Sequence, residues 1–361
     1  MGALVADSYL HIFRGKRVLI TGHTGFKGSW LTLLLQMLGA EVMGYALPLE
    51  YDGGHFDRLG LKNKMRHVIG DVRNIDLLRS EVKAFQPEIV FHLAAQALVR
   101  ASYLDPKTTF DINVGGGVNV LDVVRTCDSV RALVFVTSDK CYENLEWIWG
   151  YRESDAMGGH DPYSASKGAA ELIFSAYLRS FFSNRQNFGA ASARAGNVIG
   201  GGDWAADRIV PDCLRAVQGG KPIVIRSPNA TRPWQHVLEP ISGYLKLAAR
   251  LFEYGREYNG SWNFGPQVGD ARTVLDVVTK LASKFENASV VVDEPLNKPH
   301  EAHLLQLNSD KACQLLQWNT RWDFEQTMNA TGDWYRDVLF HGKSVEKVSH
   351  AQISQYYGGQ L

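Results

Sequence analysis

The run Arg17-Val-Leu-Ile-Thr21 leads directly into Gly22-His-Thr-Gly25-Phe-Lys-Gly28, and an apolar stretch follows over 29–38. No other feature constrains the fold of this chain so tightly. A β-rich run that ends in glycines and reopens as a helix is the strand–turn–helix unit with which a nucleotide-binding α/β sheet begins. Gly22 suits a tight turn, Gly25 lets a ligand approach the backbone, and Gly28 lets the helix pack close to the strand. The helix N-terminus beyond them offers free N–H groups to a pyrophosphate. The spacing is GxxGxxG rather than GxGxxG, and glycines also mark plain turns. The placement between strand and helix therefore carries the dinucleotide reading, with Thr24, Phe26 and Lys27 completing the expected cofactor loop.

Strand-like runs recur at 41–46, 68–71, 89–93, 132–137 and 189–194, and helix-like runs lie between them at 74–85, 108–126 and 163–182. That alternation predicts an α/β fold: a Rossmann-like, doubly wound parallel sheet over residues 12–195. After Asn197 the rhythm breaks into loops rich in Gly, Pro and Trp. Residues 196–236 and 265–361 read as a smaller C-terminal substrate-binding domain, with 237–264 returning to the sheet. Lys and Arg total 38 and so do Asp and Glu, so nothing in the balance favours a nucleic acid or an acidic membrane as partner. No apolar run is long enough to span a bilayer, and the first residues lack the pattern of a secretory leader. Cys127, Cys141, Cys213 and Cys313 lie far apart and read as free thiols. Together these point to a cytoplasmic protein.

The second strand departs from the usual cofactor pattern. An acidic residue about 20 positions past the glycines normally accepts the ribose hydroxyls of NAD. Here the strand ends Tyr45-Ala46-Leu47-Pro48, and no acid appears until Glu50. No Arg or Lys stands there to hold a 2′-phosphate either. NAD is the expected cofactor, held without the usual carboxylate, so weak retention is expected. Asp71-Val72 follows the third strand, where Asp71 either bonds the adenine amine or simply forms a turn. Leu93, Ala94 and Ala95, at the end of the fourth strand, are further expected cofactor contacts.

Tyr163-Ser-Ala-Ser-Lys167 puts a phenol and an ammonium four residues apart, on one helix face. A lysine beside a phenol favours phenolate, which predicts a lowered Tyr163 pKa and a general base near neutral pH. Val134-Phe-Val-Thr-Ser138-Asp139-Lys140 runs off a strand at its carboxyl end, where open α/β sheets bind ligands. His300-Glu-Ala-His303 looks superficially metal-like, but a zinc-binding helix needs histidines at i and i+4, and no metal is expected. Trp147-Ile-Trp149-Gly-Tyr151 either lines a pocket or packs.

The glycine loop, Ser138 and the Tyr163/Lys167 helix resemble the extended short-chain dehydrogenase/reductase family over most of the chain. Within it, Gly22-His-Thr-Gly-Phe-Lys-Gly-Ser-Trp30, Thr137-Ser-Asp-Lys-Cys-Tyr142, Asn197-Val-Ile-Gly-Gly-Gly-Asp-Trp204 and Arg232-Pro-Trp-Gln-His-Val237 are similar to the nucleotide-sugar 4,6-dehydratases. Members acting on dTDP-glucose carry Thr-Asp-Glu where this chain has Ser138-Asp139-Lys140, and a lysine in the third place resembles the CDP-glucose branch. The resemblance implies NAD, CDP-glucose as substrate, and dideoxyhexose supply for a bacterial surface polysaccharide. It implies Tyr163 as base on the sugar 4-hydroxyl with Ser138 bonding that hydroxyl, and Asp139 as acid for the departing C6 hydroxide. Lys140 is left either as the C5 base or as an electrostatic stabiliser. Asn197 and Arg232 are implied on the diphosphate, with Arg208 a candidate to assist them, and His300 is left with either a structural or a nucleotide-side role. It also implies a homodimer or higher homo-oligomer through the helices at 108–126 and 163–182. A nucleotide-sugar 4-epimerase would share Tyr163, Lys167 and NAD but needs no acid at C6. A non-catalytic dinucleotide sensor would keep only the fold.

Overall fold

The computed structural model describes residues 8–48, 53–266, 272–293 and 304–361. Seven strands form one sheet: β1 (Arg17–Thr21), β2 (Glu41–Ala46), β3 (Arg66–Ile69), β4 (Ile89–His92), β5 (Ala132–Val136), β6 (Gly189–Ala195) and β7 (Gly260–Phe264). Their order is β7-β6-β5-β4-β1-β2-β3, and every pair is parallel. The order reverses between β1 and β4, which pair Ile20 with Phe91 and Thr21 with His92. A ligand crevice opens outside the carboxyl ends of the strands at such a switch point.

The central strands β1, β4 and β5 are largely apolar because both faces of the sheet are covered there. Val18 and Ile20 of β1, Ile89 and Phe91 of β4, and Val134 and Val136 of β5 belong to one core. Their alternating neighbours Leu19, Val90, Leu133 and Phe135 belong to the other. The first core takes the helices Phe26–Met37 and Leu238–Tyr254, and the second takes Ile75–Phe85, Gly117–Arg125 and Pro162–Tyr177. Local signals set the helix ends. Asn74 and Asp161 accept backbone N–H groups as N-caps, Pro162 occupies the first turn, and Gly39 stops the first helix at φ 77°. The run expected as one helix over 108–126 is helical from Pro106 to Arg125, but Asp111–Gly116 is wound as a π-helix. Gly116 lies there so close to Val72 that a Cβ would come within 2.5 Å of its Cγ2.

Past β6 the elements shorten. Three two-stranded ladders pair Val198–Ile199 with Gln235–His236, Ile223–Ile225 with Val290–Val292, and Thr231–Arg232 with Arg272–Thr273. The helices Ile209–Gln218, Val274–Ala282, Phe324–Tyr335 and Val345–Tyr356 pack around them. Trp30 donates from Nε1 to the Gly201 carbonyl at 2.9 Å, and His55 is held between Ser29 Oγ and Ser349 Oγ. These bonds tie the later elements to the first helix.

Candidate active site

The glycine loop divides its three glycines by purpose. Gly22 has φ 77°, and a Cβ there would lie 2.7 Å from the Ala94 amide nitrogen. A Cβ on Gly28 would run into the Gly22 carbonyl. Both are glycine because the chain packs on itself. Gly25 has φ −69° and only ordinary spacing to its protein neighbours, so nothing inside the fold demands a glycine there. It is the N-cap of Phe26–Met37 and supplies no side-chain cap, which leaves the first N–H groups of the helix open. An uncapped N-terminus behind a glycine is a cradle for a pyrophosphate, and these residues fit a dinucleotide.

The other expected cofactor residues fall around this loop. Thr24 donates to the Leu47 carbonyl at 3.2 Å, fixing the loop against the end of β2. Leu93, Ala94 and Ala95 are half-buried, with the Leu93 and Ala94 N–H groups directed to Thr21. Val72 is buried. Both oxygens of Asp71 are engaged by Arg73, through its backbone N–H and its guanidinium, which is the turn-forming arrangement. Those bonds hold the Asp71 carboxyl below its ordinary pKa. Glu50 lies outside the described residues. His23 is fully buried beneath Gly44, with its Nε2 2.7 Å from His67 Nδ1. Burial and the neighbouring His67 lower its pKa to about 3, so it is a neutral packing group.

The catalytic candidates converge at the carboxyl end of β5. Ser138 Oγ donates to Asp139 Oδ1 at 2.8 Å and accepts the Lys140 N–H at 3.3 Å. Ser138 also acts on the Tyr163 phenol, favouring its ionised form. Ser138, Asp139, Tyr163 and Lys167 are all buried, and Lys140 is half-buried. Burial raises the Asp139 pKa above its ordinary value, against the opposing charge of Lys140. The expected lowering of Tyr163 is not found: burial pushes its phenol up to about 12, with Ser138 acting the other way. The Lys167 ammonium lies 5.9 Å from the centre of the Tyr163 ring and is itself lowered to about 8 by burial. In this dry pocket loss of water outweighs the four-residue spacing.

The expected diphosphate residues lie on the neighbouring loops. Arg208 reaches Asp203 at 3.5 Å, and Arg232 donates to the Thr231 carbonyl at 2.7 Å. Asn197 is half-buried just past β6. His300 and His303 lie outside the described residues. Tyr151 stacks on Tyr142 and is buried, so that part of the aromatic loop packs, while Trp149 is exposed. Sequence reasoning placed Lys27 only on the cofactor. Its pKa is lowered to about 8, by loss of water first and by the Arg208 charge second, and Asp139 and Lys167 also act on it. Lys27 therefore lies within electrostatic reach of the catalytic candidates. Glu171 was passed over entirely; the only signal was an acidic residue in an otherwise apolar helical run.

A parallel sheet with a glycine loop at its switch point, and a buried Ser–Tyr–Lys group at its carboxyl edge, defines an enzyme of the short-chain dehydrogenase/reductase class. More narrowly, the chain belongs to the GDP-mannose 4,6 dehydratase family, which it matches over residues 19–331. It is 47% identical to a CDP-glucose 4,6-dehydratase of Salmonella typhimurium, over 96% of this chain and 97% of that one. It is 24% identical to a CDP-paratose 2-epimerase of Salmonella typhi, over 89% of this chain and all of the other. Among solved structures, a UDP-glucose 4-epimerase of Thermus thermophilus in complex with NAD superposes with a TM-score of 0.76 at 25% identity, covering 90% of this chain and all of that one. A dTDP-glucose 4,6-dehydratase of Bacillus anthracis in complex with NAD gives 0.73 at 22% identity, covering 90% and 98%, and shares the fold.

Proposed function

We propose that the chain is an NAD-dependent CDP-glucose 4,6-dehydratase, converting CDP-D-glucose to CDP-4-dehydro-6-deoxy-D-glucose and water. The observation that carries this reading is the buried group of Tyr163, Ser138 and Asp139, in which Ser138 is bonded to Asp139. It sets a base for a sugar hydroxyl beside a carboxyl group whose pKa burial has raised. The 47% identity to a CDP-glucose 4,6-dehydratase supports the substrate.

NAD, when bound, supplies the acceptor and later the donor of a hydride, and Gly25, Phe26, Lys27 and Gly28 would hold its pyrophosphate. Ser138 orients the sugar 4-hydroxyl, and Tyr163 takes its proton as C4 becomes a ketone, the positive charge that NAD would bring lowering the phenol from the value burial gives it. That ketone makes the C5 proton acidic. Asp139, in the protonated form that burial favours, gives its proton to the C6 hydroxyl, which leaves as water. Lys140, if neutral, removes the C5 proton and returns it to C5 after C6 has been reduced; as an ammonium it would instead stabilise the enolate while another base takes and returns that proton. Arg208, Arg232 and Asn197 bind the diphosphate, where a planar guanidinium suits paired oxygens, and His300 contributes on the nucleotide side. In this reading 12–195 with 237–264 binds the cofactor, and 196–236 with 265–361 binds the substrate.

The protein acts in the cytoplasm as a homodimer that supplies a deoxysugar precursor for surface polysaccharide. The dimer is supported by exposed apolar side chains on two neighbouring helical segments: Tyr103 and Leu104 at 66% and 88% exposure, and Leu172 at 62%. The direct test is incubation with CDP-glucose and NAD. A 4-keto-6-deoxy product, detected by its alkaline absorbance, is expected. A CDP-galactose product instead would mean 4-epimerisation, and binding with no turnover would mean a sensor. Competition among CDP-, dTDP-, UDP- and GDP-glucose fixes the base.

A further inference from the structure

The helix Pro162–Tyr177 carries Tyr163, Lys167 and Glu171 at successive four-residue steps, and so on one face. The proposed chemistry uses the first two. Glu171 is as buried as they are, and its carboxylate gathers bonds from the end of β5, from β6 and, through Ser261 Oγ at 3.3 Å, from β7. Thr137 Oγ1 donates to Oε1 at 2.5 Å, Ser192 Oγ to Oε2 at 2.8 Å, and Arg194 Nη2 to Oε2 at 2.7 Å. Thr137 is the residue before Ser138. One carboxylate thus ties the helix bearing Tyr163 and Lys167 to the strand end bearing Ser138 and Asp139.

Arg194 carries the tie further. Its Nη1 donates to the Tyr142 hydroxyl at 2.6 Å, and that hydroxyl donates to Asn263 Oδ1 on β7 at 2.8 Å. The turn 138–141 is therefore gripped on both sides, at Thr137 before it and at Tyr142 after it. The Glu171 and Arg194 side chains are 3% and 2% exposed. Burying such a pair costs much of what its attraction returns, and apolar replacements of similar volume are often neutral or stabilising. Stability alone gives little reason for a carboxylate at the junction of the two catalytic segments.

We infer that Glu171, held by Arg194, is a positioning residue that sets the separation between Tyr163/Lys167 and Ser138-Asp139-Lys140 through its bond to Thr137. This rests on the catalytic roles proposed above. Thr137→Val removes the bond to the loop, conserves side-chain volume and leaves the Glu171–Arg194 pair intact. Misplacement of reacting groups by about 1 Å can cost about 100-fold in rate. Thr137→Val is therefore expected to lower kcat at least about 10-fold, with KM and NAD affinity within about twofold and the pH profile of kcat displaced. Thr137→Ser, which restores the hydroxyl, recovers most of the loss. The double change Glu171→Leu with Arg194→Met should stay folded by thermal melting yet lose about 100-fold in kcat.

If Thr137→Val keeps its kcat and pH profile while the wild type makes the keto sugar, the positioning role is wrong and the pair is structural. If the wild type makes no keto sugar, the proposed function falls and takes this inference with it. Should the double variant fail to fold, Thr137→Val decides alone.

Discussion

Ser138 and Asp139 are adjacent in the chain and bonded side chain to side chain at 2.8 Å, with 7% and 3% of their surfaces exposed. Consecutive residues on a regular strand point to opposite faces. Here the strand has ended, and the 3₁₀ turn Asp139–Cys141 brings both side chains to one pocket. The hydroxyl proposed to orient the sugar and the carboxyl proposed to protonate its leaving group are thus a single unit.

Asp139→Asn should separate the two halves of the reaction. Oxidation at C4 does not need the acid, so reduced nicotinamide is expected to accumulate on mixing with CDP-glucose. Product formation should fall by about 100- to 10,000-fold, the range for loss of a general acid. The acid must be protonated to work, and burial raises its pKa, so wild-type kcat falls as pH rises through that raised value. The variant should lose this alkaline limb. By the same sign, the carboxyl's contribution to folding is present below its unfolded pKa and lost as pH rises through the folded one. An Asn variant that kept full turnover would remove Asp139 from the chemistry.

Lys167 offers a test of the cost of an active site. Its pKa drops from 10.5 to about 8 because it is buried. Between those values the unfolded chain binds more protons than the folded one, so this group makes stability rise with pH from about 8 to about 10.5. A displacement of that size is on the order of 3 kcal/mol at neutral pH. Lys167→Met should raise Tm at pH 7 by a few degrees, flatten the rise in stability between pH 8 and 10.5, and abolish oxidation at C4. Calorimetry across that window measures it, and a Tm lowered at pH 7 would contradict the burial argument.

The sheet was legible because strands covered on both faces read as continuous apolar runs, and the glycine at Gly39 marks the end of the first helix. Tyr163, Lys167 and Ser138-Asp139-Lys140 were legible because each is a local string. Glu171 was not. Its partners Thr137, Ser192 and Arg194 are 34, 21 and 23 residues away, brought together by the β5–β6 register that sets Val136 opposite Ala193. The direction of the Tyr163 shift was misread for a related reason. The spacing to Lys167 can be counted in the sequence, whereas the loss of water that outweighs it depends on packing from several segments.

The division of labour among the loop glycines separates folding from binding. A Cβ at position 28 collides with the Gly22 carbonyl, so Gly28→Ala should cost both stability and NAD binding. Position 25 has φ −69° and room for a methyl group, so Gly25→Ala should leave Tm within a degree or so of wild type. The added methyl would stand where a pyrophosphate approaches the helix N-terminus, and NAD affinity should fall at least about tenfold, or 1.4 kcal/mol. Titration of NAD by protein fluorescence, run beside a thermal melt, reads both. The same titration tests the missing carboxylate at the end of β2: protein purified without added NAD is expected to carry little of it, and a tightly co-purifying cofactor would contradict that.

The exposed leucines make the proposed dimer testable in the same preparation. Leu104 is 88% exposed and Leu172 62%, an unusual allocation for large apolar side chains on adjoining helices. Each would gain roughly 2 kcal/mol if fully covered by a second copy. A charge placed at either position loses that gain and, in a symmetric interface, meets its burial cost twice. Leu172→Arg is expected to shift the sedimentation coefficient from dimer to monomer while leaving the monomer's thermal unfolding nearly unchanged, because the side chain packs against little of its own chain. The helix Pro162–Tyr177 also bears Tyr163 and Lys167, so monomerisation should lower kcat modestly. A wild-type chain that sediments as a monomer at micromolar concentration would rule the dimer out.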